Sequence, residues 1–169
     1  MQARARLLGH SIHQMLIVFP LGLLATSFFF DIAWLIVHQR TLALVSYWMI
    51  FAGVIGALCA ALFGAIDWFG IPSGTRAKAI GLWHGAGNLI VAVLFAVSWV
   101  LRRAADPAAP AATMIVISAI AVAIALVSAW LGGELVDRLG VGVDEGAHLD
   151  SPNSLSGRPA TDDTLRSRG

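Results

Sequence analysis

The residues of this chain that could do chemistry are polar side chains at the borders of long apolar stretches. His10 and His13 lie where a short polar lead becomes the apolar run GHSIHQMLIVFPLGLL, and His84 is followed four positions later by Asn88. Residues four apart share one face of a helix, so His84 and Asn88 are expected to lie side by side. Two histidines on different helices are a donor set for iron, as in haem proteins with axial histidines.

The acidic residues give the same region a second interpretation. Asp67 and Glu134 would add oxygen ligands to the histidine nitrogens, a mixture that suits a divalent transition metal. This alternative metal set comprises His10, His13, Asp67, His84 and Glu134. The same side chains could instead form a hydrogen-bonded network or part of a proton path. The sequence contains no HExxH, CxxC or glycine-rich phosphate loop, so it assigns no catalytic residue and does not favour a stand-alone enzyme.

Long apolar segments must position these residues. The chain has 169 residues, of which 58% are hydrophobic and 12% are charged, whereas soluble domains carry roughly 25% charged residues. Four segments exceed the about 20 residues that a helix needs to cross a bilayer, and they cover approximately 12–37, 42–69, 79–101 and 111–136. Their unbroken hydrophobicity excludes the alternating strands of a membrane barrel. The sequence therefore predicts an all-α integral membrane protein, an antiparallel four-helix up-down bundle.

The remaining segments set the domain organisation and the expected surroundings. Residues 1–139 are predicted to form the transmembrane domain, and residues 140–169 are predicted to be a disordered polar tail because they contain few aliphatic side chains. The net charge of +1 and the lack of a basic run exclude nucleic acid as a partner, so the bilayer is the expected environment. The oligomeric state stays open. Basic residues favour the N-terminal edge, which predicts both termini in the cytoplasm: Arg4, Arg6, Arg76, Lys78 and Arg138 against Arg40, Arg102 and Arg103.

The bundle geometry makes the histidine pair plausible as a cofactor site. Neighbouring helices are about 9–10 Å apart, so the first and third helices would face each other across a diagonal of about 13–14 Å. Inward-facing His13 and His84, at similar depth, could both ligate one iron, and Asn88 could orient His84 through a hydrogen bond. Asp31, near the opposite edge, is expected to face the interior with Tyr47 or a backbone group as its partner. The sequence shows no repeat beyond the helical hairpin.

Three blocks of sequence resemble a known family. GHSIHQMLIVFPLGLL, IGLWHGAGNLIVAVLFAVSWVLR and WLGGELVDRLGVGVDEGAH occur in an order that is similar to the bacterial membrane-protein family called domain of unknown function 2231. The resemblance extends to about His148. The family's first block usually reads His-Pro-x-His-Pro, whereas Ser11 and Gln14 replace the prolines here. The resemblance implies a four-helix inner-membrane protein without an established reaction.

The resemblance also bears on function. Some relatives are linked to Rieske iron–sulfur proteins, and the outline looks like that of the cytochrome b group, which implies redox chemistry and a redox partner protein. The leading hypothesis is an electron-transfer subunit that binds haem b through His13 and His84, with Asn88 in support. A cofactor-free membrane scaffold that docks a partner is the alternative, and a divalent-metal-binding or proton-handling protein is a third interpretation.

Overall fold

Four membrane-spanning helical segments form an antiparallel bundle in the computed structural model, which describes residues 1–162. The spans are Ile12–Val37, Arg40–Gly70, Arg76–Ala104 and Ala112–Arg138. Each is long and apolar enough to cross a bilayer. The predicted fold class is confirmed, and the helices begin and end within a few residues of the predicted positions.

The elements follow each other with short connections. A two-stranded antiparallel hairpin, in which Arg6 pairs with Ser11, precedes the first span. The first span is divided at Ile17, and Pro20 explains the division because it has no N–H to donate to the carbonyl of Leu16. The elements are β1 (Arg6–Leu7), β2 (His10–Ser11), α1 (Ile12–Leu16), α2 (Val18–Val37), α3 (Arg40–Gly70), α4 (Arg76–Ala104), α5 (Ala112–Gly133) and a π-helical turn (Glu134–Arg138).

The helices are arranged so that α2 and α4 lie on one diagonal of the bundle. α2 packs against α3 and α5, and α4 packs against the same two helices. One apolar core cluster holds them together at mid-membrane, formed by Leu24, Ile50, Val91, Phe95 and Ala121. This arrangement places α1 and the first turns of α4 on the same membrane edge, as the up-down topology requires.

The segment after the last helix packs against the N-terminus. The Met1 ammonium group donates to the carbonyl of Gly140, and the N–H of Gly142 donates back to the carbonyl of Met1. Arg6 forms an ion pair with Asp144 at 2.8 Å. Residues 140–162 form turns and one short 3-10 helix. The end of the predicted disordered tail, residues 163–169, lies outside the described residues.

Candidate functional site: a histidine pair at one membrane edge

His13 lies on α1 and packs against a glycine of α3. Its Nδ1 is 2.9 Å from the carbonyl oxygen of Ala60. A carbonyl only accepts, so Nδ1 carries the proton and the lone pair of the neutral ring is on Nε2. Gly64 lies one helical turn after Ala60, and a Cβ at this glycine would be 2.9 Å from two atoms of the imidazole. The glycine therefore leaves the space that the histidine ring occupies.

His84 repeats this arrangement on the other pair of helices. It lies on α4, and its Nδ1 is 2.8 Å from the carbonyl oxygen of Ser128 on α5. Gly132 lies one turn after Ser128, and a Cβ there would be 3.0 Å from Cε1 of the imidazole. The same reasoning places the proton on Nδ1 and the lone pair on Nε2. Both histidines are thus anchored in one tautomer by backbone carbonyls.

The two imidazoles meet inside the bundle. Their ring centroids are 6.4 Å apart and their planes are at 89°. An iron bound to two imidazole nitrogens at about 2 Å from each would separate the ring centroids by on the order of 6 Å. Hydrogen-bonding Nδ1 to a carbonyl while Nε2 binds the metal is the usual arrangement of histidine ligands. The distance between the ring centroids and the anchoring of both Nδ1 atoms therefore match those of a two-histidine iron site.

Asn88 contacts His84 as the sequence predicts, but at the nitrogen that an iron would need. Its Nδ2 lies 3.0 Å from Nε2 of His84. Because Nδ1 of His84 carries the proton, Nε2 accepts this hydrogen bond from the amide. Iron binding would require Asn88 to release Nε2 and turn its amide elsewhere.

The contact surface between the first span and α4, here called the seam, is less enclosed next to the histidines. The seam residues of the first span recur at alternating intervals of four and three, as do those of α4. Pro20 and Val91 at this seam are buried, as are the seam residues beyond them. Ile17 and Asn88, one step nearer the histidines, are exposed; for Ile17 the exposed fraction is 37%.

The other members of the predicted metal set are not gathered around this pair. His10 is exposed on the N-terminal hairpin, and Glu134 forms an ion pair with Arg76. Asp67 holds the N-terminal segment, because its Oδ1 accepts from the backbone N–H groups of Arg4 at 2.7 Å and Ala5 at 2.9 Å. No group of three or more potential metal ligands occurs within residues 1–162. The structure thus brings only His13 and His84 together.

Asp31 has a different partner from those predicted. Its carboxylate forms a bidentate ion pair with Arg102, at 2.7 Å and 2.6 Å, and both side chains are fully buried. The prediction that Tyr47 or a backbone group satisfies Asp31 is wrong, and so is the placement of Arg102 in the charged edge. Tyr47 instead stacks on Trp99, with ring centroids 5.4 Å apart. The helix α4 continues past the predicted end at residue 101, which carries Arg102 into the interior.

Every N–H group of the Arg102 guanidinium has a partner. Besides the carboxylate, Nε lies 3.3 Å from Ser98, one terminal nitrogen 3.2 Å from Ser46, and the other 3.3 Å from Ser118. In the sequence, the sign of this cluster is the presence of serines within otherwise apolar helices, because a buried hydroxyl needs a polar partner. The cluster is saturated and leaves no donor for a ligand.

Comparisons with known proteins identify a family but no characterised relative. A family model described as "Predicted membrane protein (DUF2231)" matches residues 9–145. No curated protein matches the chain. No solved structure matches it either.

Proposed function

The chain belongs to the DUF2231 family of predicted membrane proteins, and from this premise we propose that it is a membrane electron-transfer subunit that binds haem b between His13 and His84. The observation that carries the proposal is the meeting of two imidazoles at 6.4 Å and 89°, each anchored through Nδ1 to a carbonyl. The fixed tautomers place the lone pair of both rings on Nε2, and His84 would bind the iron once Asn88 turns its amide away from that nitrogen.

The surroundings of the histidines add to this support. The seam is closed by buried side chains from Pro20 and Val91 onward, but Ile17 and Asn88, next to the histidines, are exposed. A macrocycle would occupy this less enclosed part of the seam, and the bound iron would supply one-electron redox chemistry. The chain itself contributes the two fixed imidazoles and the amide of Asn88.

Spectroscopy of histidine variants tests the proposal. The protein is purified in detergent after expression with added haem precursor, and visible spectra of the oxidised and reduced forms are recorded with an iron analysis. The wild type and His10→Ala are expected to show a Soret band that shifts on reduction, because His10 lies away from the pair on the exposed hairpin. His13→Ala and His84→Ala are expected to lose it. A wild-type spectrum without the band, or the same band in all four proteins, would refute haem binding.

One observation favours a second candidate, a cofactor-free scaffold that docks a partner. Asn88 already satisfies Nε2 of His84, so that this histidine is fully hydrogen-bonded without any ligand. In that case His84→Ala would lower the thermal stability of the bundle, and neither the wild type nor the variant would show a visible band.

The location proposed for the site is the cytoplasmic edge of the inner membrane. Since Arg102 is buried in the ion pair with Asp31, it does not add to the charge of the opposite edge, and the excess of basic residues at the N-terminal edge becomes larger. An excess of Lys and Arg marks the cytoplasmic side of a membrane protein. Labelling of single cysteines at residues 2 and 106 in intact cells would test this: an impermeant reagent is expected to reach residue 106 alone.

A further inference from the structure

The two helical hairpins of the bundle have matching burial patterns. The seam residues of the first span have counterparts in α4 at a constant separation of 71 residues, the separation between Asp31 and Arg102. Ile17 and Asn88 also match at this separation and are both exposed; apart from them and the half-buried histidines, both members of each of these pairs are buried. The pairs are His13 and His84, Pro20 and Val91, Leu24 and Phe95, Ser27 and Ser98, and Asp31 and Arg102.

The second helices of the two hairpins match in the same way. Residues of α3 correspond to residues of α5 at one constant spacing, and the paired positions have the same burial class. The matched pairs are Ile50 and Ser118, Gly53 and Ala121, Ala60 and Ser128, Gly64 and Gly132, and Asp67 and Leu135. The two hairpins are therefore related by an approximate twofold axis along the membrane normal, with equivalent positions facing each other across it.

This symmetry raises a problem of partner choice. Because the two hairpins present similar surfaces to each other, the first hairpin of one chain could also pack against the first hairpin of a second chain through the same surface. Small residues and close packing drive helix association in membranes, and such contacts discriminate weakly between similar surfaces. In most matched pairs at the seam, both members are histidine, both are apolar or both are serine. These positions would pack equally well if a hairpin met a like hairpin of a second chain in place of the unlike hairpin of its own chain.

The Asp31–Arg102 pair is the position that does discriminate. When unlike hairpins meet, the two charges form a bidentate ion pair with no exposed surface. When like hairpins meet, Asp31 would face a second Asp31, and Arg102 a second Arg102, each buried inside the bundle without a counter-ion. A buried charge without a counter-ion is strongly unfavourable. We propose that this ion pair is a recognition element that makes each hairpin pair with the unlike hairpin of its own chain and excludes the like hairpin of a second copy.

Cysteine cross-linking in the full-length chain tests this inference. Ser27 is introduced as the reporter because it is fully buried at the seam and its matched partner is Ser98. In a Cys59→Ser background, Ser27→Cys together with Ser98→Cys is expected to be cross-linked within one chain by a membrane-permeant bifunctional thiol reagent long enough to span the bundle diagonal. With the same reagent, Ser27→Cys alone can be cross-linked only between two chains whose like hairpins have paired, and it is expected to stay monomeric.

The charge pair is then removed and exchanged in the Ser27→Cys protein. Asp31→Leu with Arg102→Leu is expected to keep wild-type thermal stability, since apolar replacement of a buried ion pair is often neutral, while the cross-linked dimer increases severalfold. Asp31→Arg with Arg102→Asp is expected to bring the dimer back to the wild-type level, because like hairpins again present like charges to each other.

Each remaining outcome would overturn the inference. If the double-leucine variant folds and remains monomeric, the pair does not select the partner. If that variant fails to fold, the pair is needed for folding itself and not for partner choice. If the Ser27→Cys and Ser98→Cys protein is not cross-linked within the chain by the bifunctional reagent, the matched positions do not face each other.

Discussion

Removing the charge of Asp31 should destabilise the bundle far more than removing the charge of an exposed aspartate. Asp31→Asn replaces two hydrogen bonds between ionised groups, at 2.7 Å and 2.6 Å, by one hydrogen bond from the Arg102 guanidinium to a neutral amide oxygen. Hydrogen bonds to charged groups contribute about 1.5–3 kcal/mol each. Three serine hydroxyls still accept from the guanidinium, but its charge remains buried without a counter-ion. We therefore expect a loss of about 3–5 kcal/mol in the free energy of unfolding.

The matched control is Asp106→Asn, which removes an aspartate that forms an ion pair with Arg40. That pair is largely exposed, and exposed ion pairs contribute little because water and salt screen them. Both variants are unfolded in mixed detergent micelles by increasing the fraction of denaturing detergent, and helix content is followed by circular dichroism. Equal stability of the two variants would refute the reasoning. Asp31→Leu with Arg102→Leu should recover most of the loss, because no unpaired charge remains.

Three further predictions concern the histidine edge and the loops. Gly64→Ala should displace the imidazole of His13, since the new Cβ would be 2.9 Å from the ring, and it should lower the free energy of unfolding by about 1–3 kcal/mol. The control is Gly85→Ala, whose Cβ would have nothing within 4 Å and which should leave the stability unchanged or higher. Equal losses of stability in the two variants would contradict the packing of His13 against Gly64. Asp67→Ala should speed hydrogen exchange at the backbone amides of residues 4 and 5, because both lose the carboxylate that accepts their hydrogen bonds. The loss of a buried acceptor costs about 1–3 kcal/mol of stability. Unchanged exchange at these amides would contradict the role of Asp67 in holding the N-terminal segment. The N–H of Ala108 and the Arg40 guanidinium hold the pKa of the Asp106 carboxyl below its ordinary value. The stabilisation that this carboxylate gives to the loop should therefore be complete above pH about 4 and be lost as the pH falls through the lowered pKa. Limited proteolysis of the loop against pH would detect the loss, and Asp106→Asn should abolish the pH dependence.

The sequence alone was sufficient for the fold class, and it also identified the two histidines that meet. Long uninterrupted apolar segments can satisfy their backbone groups in a bilayer only as helices, and short connections make successive helices antiparallel. His13 and His84 could be selected because they lie at matching depths on helices that run in the same direction. Local pattern determines these properties, so no tertiary contact is needed to read them.

The tertiary structure decided which polar groups pair with each other. Asp31 and Arg102 are 71 residues apart, and only the packing of α2 against α3 and α5, with α4 opposite, shows that they face each other rather than the membrane edges. The likeness of the two hairpins was equally hidden, because they share the burial pattern at the seam but few identical side chains. The seam requires that a position be enclosed, and the residue that fills it depends on its partner across the axis.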